Sequence, residues 1–144
     1  MPGSRQKARV LALQALYEAD LAHHSAPEAL ERLLGQSGVA EATQDLARKL
    51  VGGVMERGRD IDGVLQTAAP QWPVDQVSAV DRNVLRLAIY EILFNNMERS
   101  VPVGVVINEA VDLAKRFGSE NSQRFVNGVL GNISKNHLAA SQQS

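Results

Sequence analysis

The run Val77 to Phe94, VSAVDRNVLRLAIYEILF, constrains this chain more than any other. At about 100° per residue, its valines, leucines, isoleucines, alanine and phenylalanine fill most of a helical wheel. Arg82, Asn83, Arg86 and Tyr90 are left as a narrow polar strip. A helix this apolar must be surrounded. It is too short and too charged to cross a bilayer, which takes roughly 20 mainly apolar residues, so its surroundings are expected to be other helices. Two carboxylates, Asp81 and Glu91, fall inside the apolar arc. Asp81 stands in the first turn, where the helix dipole favours it. Glu91 lies deeper and requires a cationic or hydrogen-bonding partner that the local sequence does not name.

What surrounds that helix is also expected to be helical. With 144 residues, 44% of them hydrophobic, the chain can build one domain with a real core, read here as residues 1–144. Only 4% are aromatic, and no stretch alternates with period two, so the class is all-α. The formal charge of -1 does not mark the whole chain as nucleic-acid binding; any such surface must be local. There is no Cys, which excludes disulfides and thiolate chemistry. The N-terminus has no run resembling a signal peptide, so a cytoplasmic protein is expected.

Along the chain, Ser4 to Leu21 reads as a first helix, capped by Ser4, with Ala8, Leu11, Ala12, Ala15 and Leu16 on its inner face. Pro27 opens a short second helix ending at Gly35, and Gly35 to Gly38 reads as a loop. A third helix runs from about Glu41 to Arg57; its paired Gly52 and Gly53 fit close helix packing and not a phosphate loop, because no GKS or GKT follows. A fourth ends before Pro70. Trp72, between two prolines, is expected to cover the end of the core. Asn95 to Ser100 reads as a polar linker. Val103 to Phe117 is cleanly amphipathic, Gly118 stops it, and a last helix carries Phe125, Val126, Val129, Leu130 and Ile133 inward before a frayed tail beyond Asn136.

One edge of the first helix gathers Arg5, Arg9 and Tyr17 within about 120° of arc, with Lys7 further round and no acid before Glu18. Cations beside a ring suit single-stranded RNA, with charge for phosphate and an aromatic face for an unpaired base. A solvated helix end with Tyr17 at the core boundary fits the same residues. Adjacent His23 and His24 diverge by about 100° and read as a solvated helix end, so no metal or cofactor is expected.

Three blocks together resemble the NusB family of transcription antitermination proteins: ARVLALQALYEAD from Ala8, DRNVLRLAIYEIL from Asp81, and VPVGVVINEAVDLAKRFGSENSQRFVNGVL from Val101. The resemblance implies about seven helices in two helical subdomains. It also implies a non-enzymatic adaptor that binds boxA-type RNA together with the ribosomal protein NusE, helping RNA polymerase read through terminators in ribosomal RNA operons. Arg5, Lys7, Arg9 and Tyr17 match the family's RNA-binding start, with Gln6 where a further cation would strengthen it. Asp81, Asn121 and Arg124 match positions at or beside the RNA surface, Arg124 suited to phosphate and Asp81 to base amino or ribose hydroxyl groups or to orienting a nearby Arg. Asn108, Glu109 and Asn127 also match motif positions and are read as structural.

Two rival readings remain open at this point. The fold also resembles the RNA-binding domain of some ribosomal RNA cytosine methyltransferases, but without a βαβ pattern or a Cys nucleophile this chain is not expected to transfer methyl groups. A helical module that homodimerises through Val10, Leu13, Tyr17 and Leu21 without binding RNA belongs to a different class. Catalysis is not expected, because the three His lie near helix ends or the tail and no triad is visible.

Overall fold

The computed structural model describes residues 3–95 and 101–143, with backbone alone from 138 on. Seven helices account for it: α1 (Ser4–Ala22), α2 (Ala26–Ser37), α3 (Glu41–Glu56), α4 (Gly58–Ala68), α5 (Ala79–Ile89), α6 (Val103–Phe117) and α7 (Ser122–Gln143). A short 3-10 turn, Val74–Gln76, precedes α5, and a π-helical turn, Tyr90–Phe94, continues it. No strand occurs among the described residues.

Local chemistry accounts for most boundaries. Ser25 caps α2 by accepting the Glu28 N–H at 3.3 Å, with Pro27 in the first turn. The expected stop at Gly35 is wrong. The helix passes through Gly35 to Gly38, whose φ of 68° is the left-handed conformation that glycine adopts without a Cβ clash. Ser4 is the first residue of α1 and not its cap; Gly3 occupies that position without a side-chain bond. The tail expected to fray beyond Asn136 is helical through Gln143. The linker expected at Asn95 to Ser100 lies, apart from Asn95, outside the described residues.

α5 is the shared member of two groups, packing on α1 and α3 on one side and on α4, α6 and α7 on the other. Val84, Leu85 and Ile89 are fully enclosed. The polar strip of α5 is enclosed too, and neighbouring helices supply its counter-charges. Arg82 donates through Nε and Nη2 to Asp20 Oδ2 at 2.9 and 2.8 Å, and through Nη1 to the carbonyls of Val74 and Val77. Asn83 Nδ2 reaches the same Asp20 oxygen at 3.0 Å, while Arg86 forks onto Asp62 of α4 at 2.8 and 2.9 Å. Burial alone would raise the Asp20 carboxyl; the hydrogen bonds from Arg82 and Asn83 and the charges of both arginines outweigh it and hold it below the usual range.

Of the paired glycines, Gly53 explains the close packing. A Cβ there would fall inside the Tyr90 ring, whereas Gly52 faces open space. Just beyond Tyr90, Phe94 lies under the guanidinium of Arg57, 4.5 Å from the ring centre, at the corner between α3 and α4.

Candidate nucleic-acid interface

The cations of α1 divide between surface and interior. Lys7 is exposed and Arg5 half-buried. Arg9 is 3% exposed, and its expected place on an RNA-facing edge is corrected by the structure. Its Nε and Nη2 fork onto Glu91 Oε2 and Oε1 at 2.8 and 2.7 Å, so it is the partner that Glu91 required. Gln6 is buried as well, donating to the Glu109 carbonyl at 3.2 Å and to Asp112 Oδ2 at 3.1 Å. A cation at that position would not have extended the surface. Tyr17 is 37% exposed.

Lys7 instead faces a cleft of about 630 Å³ that it shares with Ser4, Ser37, Thr43 and Arg116. Arg116 is an exposed cation that sequence reasoning missed. At the C-terminal end of α6 it reads as an ordinary dipole-matching residue, and only the fold brings it opposite Lys7.

A second concavity, of about 490 Å³, joins residues that are far apart in the chain. Asp81 from the first turn of α5 meets Asn121 and Arg124 from the start of α7, with Phe125 and Trp72 along the same wall. Trp72 does not cover the core: its ring is 54% exposed and stands edge-on to Phe125, with centroids 6.3 Å apart. Asp81 is only 8% exposed, and its buried Oδ1 has no hydrogen-bond partner.

The seven nominated residues therefore fall in different places. α1 and α5 run antiparallel, Arg9 lying beside Glu91 and Asp20 beside Arg82. The eleven-residue step from Arg9 to Asp20 spans about 16 Å of helix. Arg5 and Lys7 lie at one end of this pairing and Asp81 at the other, with Tyr17 nearer the Asp81 end.

Residues 6–135 match the model of the NusB family. The chain belongs to the NusB family. Among NusB relatives, the transcription antitermination protein NusB of Dehalococcoides mccartyi (strain CBDB1) is 49% identical over 135 residues, covering 94% of this chain and 92% of that protein. That of Chloroflexus aggregans is 43% identical over 139 residues, covering 96% and 92%. A structure of T. maritima NusB superimposes with a TM-score of 0.85 at 35% identity, over 94% of this chain and 93% of that one. A crystal structure of the antitermination factors NusB and NusE in complex with double-stranded RNA matches with a TM-score of 0.84 at 30% identity, over 94% and 99%. No described helix of this chain is long and apolar enough to cross a membrane.

Proposed function

We propose that this protein is an RNA-binding transcription antitermination adaptor, which binds boxA-type RNA together with ribosomal protein NusE and supports read-through of ribosomal RNA operons by RNA polymerase. It acts in the cytoplasm as one RNA-binding domain and catalyses no reaction of its own. The observation that carries this reading is the groove in which Asp81, Asn121 and Arg124 meet, on a chain similar to one solved with NusE and RNA. Arg124 is exposed for a phosphate, Asn121 can donate and accept, and Asp81 can only accept while ionised. Arg5 and Lys7 extend the surface toward the far end of α1, with Tyr17 between as a ring for stacking.

The test is a titration of a boxA-like oligoribonucleotide with and without purified NusE. Few cations line the proposed RNA edge, so the isolated contact is expected to be weak and salt-sensitive. A second RNA-binding protein held alongside should raise the affinity by linkage. Equal affinity with and without NusE would contradict the adaptor reading.

Lys7→Ala gives a finer measurement in the same titration. Its side chain is exposed, so melting is expected to be unchanged. The slope of log affinity against log salt should become shallower by about 0.7, the single-strand value for one phosphate contact. An unchanged slope would remove Lys7 from the interface.

A further inference from the structure

We propose that the cleft at the N-terminal end of α1 is a site for a terminal phosphate, the monoester phosphate of a nucleotide. This goes beyond the RNA-binding reading above, because a free nucleotide can fill the site without any RNA. The observation that carries it is a buried hydroxyl with nothing to bond. Thr43, in the first turn of α3, is 4% exposed and makes no side-chain hydrogen bond among the described residues. A threonine in a helix can donate to the carbonyl four residues back. Here that carbonyl belongs to Val39, and it accepts Gln44 Nε2 at 3.0 Å instead. Thr43 Oγ1 is nevertheless not sealed off, since among the described side chains only Asp81 Oδ1 is both fully buried and unsatisfied. What exposure Thr43 keeps therefore includes its oxygen, and the residue lines the cleft. A hydroxyl stripped of most of its water and open on one side requires a partner from that side.

The surroundings set the charge of that partner. Both charged residues on the wall are cations, Lys7 from α1 and Arg116 from the end of α6, and no carboxylate among the described residues lines the cleft. The Phe117 ring, 5.0 Å from Arg116 Cζ, steadies the guanidinium. α3 begins at the same wall, and its N-cap, Ala40, has no side chain to accept the first N–H groups. Those groups carry the positive end of the helix dipole. Ser4 adds a second hydroxyl without a side-chain hydrogen bond among the described residues.

Two cations, two hydroxyls and an uncapped helix end exceed what an internal phosphodiester can use, since it brings one charge and two free oxygens. A monoester phosphate brings three free oxygens and a charge of about −1.5 to −2 at neutral pH. The cleft, at about 630 Å³, is also far larger than a phosphate, and Val10 and Val39 give it an apolar wall for the attached group. A nucleoside suits both the size and the wall. It arrives either as a free nucleotide or as the 5′ end of an RNA.

Calorimetric titration with AMP and with adenosine tests the site, and the 5′-phosphorylated and 5′-hydroxyl forms of one boxA-like oligoribonucleotide distinguish the two sources. AMP is expected to bind about a hundredfold more tightly than adenosine. Thr43→Val removes the hydroxyl at nearly the same size and breaks no internal hydrogen bond, so melting should not fall while AMP affinity drops about tenfold. Arg116→Gln, at an exposed position, is expected to cost a similar factor. A preference of about tenfold for the phosphorylated RNA, lost in Thr43→Val, identifies the RNA end as the source. Equal binding of the two RNAs with AMP still preferred identifies a free nucleotide. The site is overturned if AMP binds no more tightly than adenosine, or if neither variant weakens AMP. In those cases continued binding of boxA-like RNA leaves the adaptor reading standing; if RNA binding fails instead, AMP against adenosine still decides the cleft. Should Thr43→Val fail to fold, Arg116→Gln carries the test.

Discussion

Arg9→Ala is expected to lower the unfolding free energy by about 3–5 kcal/mol, because it leaves the Glu91 carboxylate buried without its partner. The size follows from the site. The two side chains are 3% and 6% exposed, and the carboxylate receives both prongs of one guanidinium. Surface ion pairs such as Arg48 with Glu31 are screened by water and contribute far less. Urea denaturation of the variant measures the loss. The double replacement Arg9→Met with Glu91→Leu should recover most of it, since two apolar side chains carry no unpaired charge. A loss below about 1 kcal/mol for Arg9→Ala would mean that water reaches Glu91 after all. The contrast with Lys7→Ala is the useful part, for one cation of α1 should report in the melt and the other in the salt slope.

Leu85→Ala is expected to cost about 2–5 kcal/mol, as its side chain is fully enclosed between both groups of helices and no solvent side is open to collapse. At this chain length each kcal/mol lowers the melting temperature by about 2–4 °C. Ile92→Ala, in the half-buried π-turn, should cost less than Leu85→Ala. Thermal melts of the two variants check both statements. Equal, small shifts would show that α5 is not the element on which the two groups of helices converge.

The fold was legible where periodicity is strong and local. The α5 run is apolar nearly all round, so its central place could be read without knowing its neighbours. Glu91's need for a cation was legible as well, but its partner is 82 residues away in sequence, and a helical wheel ranks angles on one helix without saying what covers them. That limit misplaced Arg9, which sits about 40° from Arg5 on the α1 wheel yet lies beneath the π-turn. Trp72 was misjudged because aromatic area is usually buried, and only the edge-on contact with Phe125 shows how its ring stays in the open. The meeting of Asp81 with Asn121 and Arg124 could not be read from spacing. Matching motifs nominated the three residues, and the packing of α5 with α7 assembles them.

The π-turn can also be understood as an angular offset built into the central helix. Each residue of an α-helix advances about 100°, and a turn that takes in one more residue absorbs about one such step. Upstream of it, Arg82 and Arg86 are oriented onto Asp20 and Asp62; within it, Glu91 is oriented onto Arg9 and Phe94 beneath Arg57. With one residue fewer between Ile89 and Phe94 the chain would spell an unbroken α-helix, and one of these two sets would arrive about 100° out of phase with its partners. Helical regularity and simultaneous pairing at both ends are thus alternatives for this segment, and the sequence gives up the first for the second.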